Sequence, residues 1–344
     1  MAVDLLVLGS LLVIGFVVAF AVGSNDETMA PAVGAGVFTI KVAVTIGGLI
    51  AIFGAVTLGS GVSETVGSEL VGGQQLETGM VFAILISMAI WLLIASITKG
   101  LPISTTQCVV GSVIGVASVA PLLGHSEWGF NQIDWFVVLR IFSGWILSPI
   151  IGFLISGGVY SIFRRAQRRA AGLTRLERQE RIAAYALAVF LVLTAMSRGG
   201  NDVANAVAPL VSLDAFSGSY VLGPLVIPGF LVPLLVGGLG MALGLVVVGR
   251  RVIKTLATEV VTLSPSSALS ASVSVFLVMF FGTLLGLPLS GTHVLVAGLI
   301  AVGWVSEKPV QMKQVREIII SWIITIPIAG ALGIAVFGLI GFLF

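Results

Sequence analysis

Charged residues are scarce in this chain: Asp, Glu, Lys and Arg together make up 9% of its 344 residues. A soluble domain carries about 25% charged residues, so this chain cannot cover itself with a hydrated surface. Its residues are 58% hydrophobic and its mean hydropathy is +1.16. The composition excludes an ordinary soluble protein and predicts one membrane domain. About ten crossings of roughly 20 apolar residues each fit its length.

Cysteine is nearly absent as well. Cys108 is the single cysteine of the sequence, which excludes a disulfide within the chain and leaves the redox compartment open. The net charge is only +2 and the charges lie between apolar segments, so no nucleic-acid-binding surface is expected. Residues 1–4 lack the positive region of a cleavable signal peptide, so the first apolar stretch is expected to remain as a membrane span.

What the chain does contain is long apolar runs, in two series separated by one strongly polar stretch. The polar stretch predicts a short helical linker, residues 163–182, on the cytoplasmic side. It separates an N-terminal membrane repeat (1–162) from a C-terminal membrane repeat (183–344). Its arginines, opposed by two glutamates, are Arg164, Arg165, Arg168, Arg169, Arg175, Arg178 and Arg181. The apolar runs are 5–22, 41–60, 79–98, 101–120, 135–162, 183–197, 219–248, 268–285, 287–305 and 318–344.

The remaining charged loops agree with this orientation. Counted outward from the linker, the acidic loops at 64–77 and 125–134 fall outside the cell, and both chain termini are then predicted to lie outside. The basic residues that fall inside are Lys41, Lys99, Arg250, Arg251, Lys254, Lys308, Lys313 and Arg316.

Three patches of the first half recur in the same order in the second. Gly-Ser-Asn-Asp at 23–26 matches Gly-Gly-Asn-Asp at 199–202, and Thr-Val-Gly-Ser-Glu at 65–69 is echoed at 255–259. Leu-Pro-Ile-Ser-Thr-Thr-Gln at 101–107 matches Leu-Pro-Leu-Ser-Gly-Thr-His at 287–293. Five apolar runs per half is an odd number, so the second copy must be inserted upside down. We therefore predict an all-α polytopic membrane protein with two inverted-topology repeats and broken or re-entrant helices, an architecture typical of secondary transporters.

Each half places an Asn-Asp pair, Asn25–Asp26 or Asn201–Asp202, directly after an apolar run. A carboxylate at membrane depth costs about 2.5–3.5 kcal/mol, so the pairs need a reason. One interpretation is a hydrated pair that caps a helix at the membrane interface. The other is a broken helix, because glycine precedes each pair and Pro31 or Pro209 follows it. Freed carbonyls and the Asn and Asp oxygens would then form a cage for a cation such as Na⁺, which is the interpretation we favour.

The repeated Leu-Pro-x-Ser-x-Thr motif predicts a second kind of site. Proline is favoured in the first turn of a helix, so a helix is expected to begin at each motif. The hydroxyl groups of Ser104, Thr105 and Thr106, and those of Ser290 and Thr292, then join unpaired backbone N–H groups at the positive end of the helix dipole. Such an arrangement outlines an oxyanion site. Ordinary helix capping is the alternative, and the recurrence of the motif argues against it.

Cation cages beside an oxyanion site suggest a coupled transporter. The membrane potential opposes the entry of an anion into the cell. Cations that bind with the anion neutralise it, and their gradient drives it inward.

On the runs at 200–206 (Gly-Asn-Asp-Val-Ala-Asn-Ala) and 287–293, the sequence closely resembles the inorganic phosphate transporter (PiT) family of cation–phosphate symporters, over essentially its whole length. The resemblance implies a prokaryotic plasma-membrane importer of phosphate, coupled to Na⁺ or H⁺, without other cofactors and forming a homodimer. The sodium ligands it implies are Asn25, Asp26, Asn201 and Asp202. The phosphate-binding residues it implies are Ser104, Thr105, Thr106, Gln107, Asn205, Ser290, Thr292 and His293.

The sequence departs from the family pattern in the first copy. Glu27, Thr28 and Met29 replace the Val-Ala-Asn of the signature, so its second asparagine is missing. Glu27, with Thr28 beside it, would take part in coupling if it replaces a lost acidic group or carries a proton, or it would simply face the surface. Arg198, beside the second copy, would attract anions or anchor the end of a span. The coupling ion and its stoichiometry stay open.

Three other functions compete with phosphate import. A sulfate permease of the same family would share the whole pattern, although a buried carboxylate can accept the proton that phosphate carries and sulfate lacks. An intramembrane hydrolase built on aspartates is disfavoured, because the sequence has no metal-ligand spacing and no Ser/His/Asp set. An anion channel would not need two carboxylate-centred cation sites. We expect a transporter rather than an enzyme.

Overall fold

The computed structural model describes residues 5–98, 103–169, 172–222, 224–259 and 262–341. In the first half these residues form α1 (Leu5–Ser24), α2 (Ala30–Gly34), α3 (Ile40–Leu58), α4 (Ser60–Gly67), α5 (Thr78–Thr98), α6 (Thr105–Val119) and α7 (Trp135–Arg169). The second half contains α8 (Leu173–Val211), α9 (Asp214–Ser217), α10 (Leu231–Val247), α11 (Arg250–Glu259), α12 (Pro265–Leu284), α13 (Gly291–Ser306) and α14 (Met312–Ile340).

The long apolar helices confirm the predicted membrane domain. Within the described residues, eight are long and apolar enough to cross a membrane: α1, α3, α5, α6, α7, α8, α12 and α14. The pair α10 and α11, bent by 62° at the break between them, counts as a ninth span if it is taken as one. Together with the shorter α13, these helices correspond to the ten predicted apolar runs.

The prediction of a membrane helix over the apolar run at 219–248 is wrong for the first third of the run. Residues Ser219–Leu222 and Leu225–Pro228 form two antiparallel strands, β1 and β2, in which Ser219 pairs with Pro228. A Gly-Pro dipeptide at 223–224, which is a turn signal, interrupts the apolar run in the sequence. Hydropathy alone does not separate this hairpin from the helix α10 that follows.

The arginine-rich stretch is helical, as a continuation of two long helices. α7 extends to Arg169 and α8 begins at Leu173. Near this end of the molecule, Arg164 donates to the carbonyl of Val305 and its Nη2 lies 2.9 Å from Glu307 Oε1.

The opposite end of α7 lies among acidic loops. Arg140 Nη2 lies 2.5 Å from Glu69 Oε2, and His125 Nδ1 lies 2.8 Å from Glu77 Oε2. With 35 residues, α7 is about 52 Å long at 1.5 Å per residue, so it joins the two ends. This separation of basic and acidic ends agrees with the predicted sidedness, and the direction in the membrane stays a prediction.

Helices from the two halves pack in exchanged pairs. α1 lies against α10 and α8 lies against α3, while α7 lies against α13 and α14 lies against α6. The glycines before the Asn-Asp pairs make equivalent contacts: Gly23 abuts the backbone of Met241 in α10, and Gly199 abuts the backbone of Ala51 in α3. Small residues let membrane helices approach closely. The exchanged contacts support the predicted repeat, and the relative orientation of the two copies stays a prediction.

Candidate functional site

The first Asn-Asp pair lies at a break between two helices, as predicted. α1 ends at Ser24, and a turn of five residues, Asn25–Met29, separates it from α2. Pro31 is the second residue of α2, where the missing N–H of proline leaves no hydrogen bond unmade. Proline and the turn together therefore start a new helix just beyond the pair.

The predicted break at the second pair is wrong. α8 runs without interruption from Leu173 to Val211 and contains Asn201, Asp202 and Pro209. Pro209 lies in the last turn of α8, and the backbone acceptor that it leaves without a helical donor is that of Asn205, one turn before the proline. Proline at the end of a helix disturbs only the end, so the second pair stays on a regular helical face.

Both pairs are buried, which contradicts a hydrated cap at the interface. Asn25, Asp26, Asn201 and Asp202 are each at most 5% exposed. Glu27 is 0% exposed, so the idea that it faces the surface is also wrong.

Arg198 joins these carboxylates into one cluster. Its Nη1 lies 2.6 Å from Glu27 Oε1 and 3.3 Å from Asp26 Oδ1. Its Nη2 and Nε lie 3.0 and 3.1 Å from Asp202 Oδ2, one helical turn along α8. Arg198 is therefore buried at the centre of the predicted cation site and does not anchor the end of a span. We call Asp26, Glu27, Arg198 and Asp202 the ion cluster.

Two threonines donate further hydrogen bonds to the ion cluster. Thr28 donates to Asp26 Oδ1 from both its backbone N–H and its hydroxyl, at 2.9 and 2.6 Å. Thr292, in the first turn of α13, donates to Glu27 Oε1 at 2.8 Å. One of the predicted anion-binding hydroxyls is thus held by a carboxylate.

The asparagine amides connect the cluster to the two Leu-Pro-x-Ser segments. Asn25 Nδ2 donates to the carbonyl of Ile103 at 3.0 Å. Asn201 Nδ2 donates to the carbonyl of Leu287 at 2.9 Å and to the hydroxyl of Thr283 at 3.0 Å. The Asn-Asp pairs and the Leu-Pro-x-Ser segments therefore meet in one site, although each pair is 78 or 86 residues from the carbonyl that it binds.

Serine residues cap both helices that follow these segments. Ser104 Oγ accepts from the backbone N–H of Gln107 at the start of α6, and Ser290 Oγ accepts from that of His293 at the start of α13. Capping, the alternative that was disfavoured, is therefore what these two hydroxyls do here. Pro288 lies two residues before the Ser290 cap, outside the first turn where it was expected, and Pro102 lies outside the described residues.

The other predicted anion-binding residues are buried around the helix starts. Thr105, Thr106 and Gln107 lie in the first turn of α6, with Thr106 Oγ1 2.8 Å from Ser104 Oγ. His293 is buried in α13, with its ring centroid 3.8 Å from that of Trp322. Asn205 instead belongs with the second Asn-Asp pair, because its amide donates to the backbone and side-chain oxygens of Asn201.

Several buried side-chain oxygens in this region accept no hydrogen bond. Glu27 Oε2 belongs to the ion cluster and Asn25 Oδ1 to the residue beside Asp26, Asn205 Oδ1 lies beside Asn201, and Gln107 Oε1 lies at the start of α6. Buried acceptors are ordinarily paired. Carboxylate and amide oxygens are ligands for hard cations, so these atoms suit the predicted cation role.

The central position of Arg198 was not predicted. Its sequence signal is the spacing of four residues to Asp202, which places both side chains on one face of a helix. The pairing with Glu27 spans 171 residues and has no local signal. Thr283, which binds Asn201, was missed because an isolated threonine near the end of an apolar run has no distinguishing pattern.

Carboxylates and capped helix starts are buried together inside a helical membrane bundle. This combination defines the class of protein, a membrane transporter. The model of the phosphate transporter family matches residues 22–333. Proteins named "Putative phosphate permease" from Pyrococcus abyssi and Thermococcus kodakarensis are 27% and 29% identical, each over 95% of this chain and 96% of its own length. "Inorganic phosphate transporter 2-1, chloroplastic" of Arabidopsis thaliana is 27% identical, over 94% of this chain and 70% of its own.

A solved structure agrees with these sequence relatives. The chain described as "The sodium-dependent phosphate transporter" superposes with a TM-score of 0.84 at 25% identity, covering 99% of this chain and 100% of that one. The protein belongs to the phosphate transporter family and is a multi-pass membrane transporter, not an enzyme.

Proposed function

We propose that this protein imports inorganic phosphate into the cell by symport with Na⁺. The observation that carries the proposal is the meeting of both Asn-Asp pairs with both helix starts. Asn25 binds the backbone just before the Ser104 cap, and Glu27, two residues on, binds Thr292 at the start of α13. The turn at residues 25–29 thus links the acidic groups to both helix starts at which an oxyanion would bind.

The cation side of the proposed site is acidic. Asp26, Glu27 and Asp202 oppose a single guanidinium, which leaves an excess of negative charge when all four groups are ionised. The proposed Na⁺ ligands are drawn from Asn25, Asp26, Asn201 and Asp202, with Glu27 and Thr28 adjoining. The solved relative, which is named for sodium dependence, supports Na⁺ over H⁺ as the coupling ion.

The anion side is formed by the starts of α6 and α13. Backbone N–H groups and the positive ends of the helix dipoles favour an anion at such positions. The hydroxyls of Thr105 and Thr106, and the side chains of Gln107 and His293, supply further polar groups. To bind phosphate, the hydroxyl groups of Ser104, Ser290 and Thr292 would give up the hydrogen bonds described above.

Alternating access between two inverted repeats is the proposed transport mechanism. The exchanged packing of α1 with α10 and of α8 with α3 supports it, because the site then lies where helices of both halves meet. We further propose that the protein operates in the plasma membrane as a homodimer. Both of its termini would lie outside the cell.

Uptake of labelled phosphate into proteoliposomes tests the proposal. We expect phosphate to accumulate above equilibrium when an inward Na⁺ gradient is imposed, and not when K⁺ replaces Na⁺. Accumulation driven only by a proton gradient would correct the coupling ion. Inhibition by excess sulfate together with Na⁺-driven sulfate uptake would indicate the sulfate permease. Failure to accumulate phosphate under either gradient would show that the proposal is wrong.

A further inference from the structure

We propose that Arg198 is an internal counter-ion that couples the two ligands by exchange. Without ligands, its guanidinium is paired with the carboxylates of the ion cluster. Phosphate draws the guanidinium to the start of α13, and the carboxylates then take up Na⁺ in its place. This inference rests on the proposed function and assigns a role that phosphate and Na⁺ binding alone do not require.

The guanidinium of Arg198 lies between Asp26 and Asp202. It is within 3.3 Å of the first and 3.0 Å of the second, and these are the two aspartates that the sequence assigns to Na⁺. A cation therefore reaches both aspartates only if Arg198 gives up at least part of its contacts.

Arg198 also borders the proposed anion site. A Cβ atom at Gly291, the first residue of α13, would overlap its guanidinium. Thr292 and Arg198 both donate to the same atom, Glu27 Oε1. An oxyanion at the start of α13 would thus find a guanidinium and a hydroxyl already side by side, each bound to a carboxylate oxygen that it can leave.

A guanidinium presents a planar fork of N–H donors that suits phosphate as well as carboxylate. It carries one positive charge, so it cannot neutralise phosphate and the three carboxylates together. A phosphate that binds Arg198 leaves carboxylates with unpaired charge in a buried place, which is strongly unfavourable unless another cation enters. Glu27 Oε2 and Asn25 Oδ1, both buried without a hydrogen-bond donor, are oxygens that such a cation can use.

Exchange of this kind makes the binding of the two ligands cooperative. Phosphate raises the affinity for Na⁺ because it removes the competing guanidinium, and Na⁺ raises the affinity for phosphate by the same factor. A guanidinium that only holds the fold together would contribute nothing to this linkage, so its removal would leave the linkage unchanged.

Equilibrium binding to the purified protein tests the exchange, with ³²P-labelled phosphate titrated at several Na⁺ concentrations and ²²Na⁺ titrated with and without phosphate. In the wild-type protein we expect each ligand to raise the affinity of the other by about tenfold or more. In Arg198→Gln we expect ²²Na⁺ to bind more tightly than in the wild type when phosphate is absent. Phosphate should then change the Na⁺ affinity by less than about twofold.

Glu27→Gln provides a second variant that keeps the shape of the cluster and loosens the guanidinium. We expect it to bind phosphate more tightly than the wild type in Na⁺-free buffer, by about fivefold or more. That gain should vanish in the double variant Glu27→Gln/Arg198→Gln, because it depends on a guanidinium free to move. Arg140→Gln is the matched control: its guanidinium pairs with a single exposed glutamate, Glu69, and its coupling should equal that of the wild type.

The outcomes separate the exchange from the proposed function. If Arg198→Gln keeps the wild-type linkage, or if the gain of Glu27→Gln persists in the double variant, the exchange is overturned while phosphate symport stands. If Arg198→Gln cannot be purified, the comparison of Glu27→Gln with the wild type decides: equal or weaker phosphate binding in Na⁺-free buffer overturns the exchange. A wild-type protein that binds no phosphate overturns both.

Discussion

Gly291 lies against the guanidinium of Arg198, at the point where α13 begins. The glycine allows the charged group to approach the first turn of the helix, because any side chain would occupy the same space. The first residue of a helix and a buried cation thereby share one wall of the site. This contact links the second Leu-Pro-x-Ser segment to the ion cluster directly.

Gly291→Ala should therefore impair transport. The added methyl group displaces the guanidinium, and a shift of about 1 Å in a binding group can reduce a rate by about 100-fold. We expect the initial rate of Na⁺-driven phosphate uptake into proteoliposomes to fall by about 10- to 100-fold. Gly158→Ala in α7 is the control, since no atom lies within 4 Å of a Cβ atom there. Uptake at the wild-type rate in Gly291→Ala would contradict the importance of this contact.

Asp202→Asn should weaken the response to Na⁺. The substitution keeps the shape of the side chain and removes one of the carboxylates proposed to bind the cation. A hydrogen bond or ion contact to a charged group contributes about 1.5–3 kcal/mol, so the Na⁺ concentration for half-maximal uptake should rise about tenfold or more. Asp214→Asn, at the exposed start of α9, should leave it unchanged. Unchanged Na⁺ activation in Asp202→Asn would remove this residue from the cation site.

The membrane helices could be predicted from the sequence because burial in lipid requires long apolar runs, and each run contains a helix, although the run at 219–248 begins with a β-hairpin. The helix break could be predicted only in part. Proline follows both Asn-Asp pairs, but Pro31 begins a new helix whereas Pro209 lies in the last turn of α8. The same residue type ends, starts or merely distorts a helix according to its distance from the helix end, which the sequence pattern leaves undetermined.

The candidate site was predicted as a cation half beside an anion half, and the structure adds the contacts that join them. The Asn-Asp pairs and the Ser and Thr hydroxyls have local motifs. Arg198 has only its spacing to Asp202, since its contacts with Asp26 and Glu27 depend on how α1 and α8 pack in three dimensions. Long-range pairing of a buried charge therefore had to come from the structure.

Asn201→Leu should lower the stability of the protein more than a surface substitution does. The amide of Asn201 binds the carbonyl of Leu287 and the hydroxyl of Thr283, and its own oxygen accepts from Asn205. Each buried group left unpaired costs about 1–3 kcal/mol. We expect a clear fall in the thermal unfolding midpoint of the detergent-solubilised protein. Asn131→Leu, at an exposed position of the short 3₁₀ helix Phe130–Gln132, should change it little, and equal midpoints for the two variants would show that the amide has no structural role.

Gly111→Ala tests the close packing of α6 against α14. A Cβ atom at Gly111 would lie 2.6 Å from the carbonyl oxygen of Ile326, and that backbone atom cannot move away as a flexible side chain could. Overpacking of this kind costs about 1–3 kcal/mol, so the thermal unfolding midpoint should fall. Gly9→Ala in α1, with no atom within 4 Å of its Cβ position, gains helix propensity without a clash and should be neutral or slightly stabilising.

Because α6 carries the Ser104 cap, Gly111→Ala should also reduce phosphate uptake. Unaltered stability and uptake would show that α6 can shift along α14 without loss, and that its exact position does not govern the site.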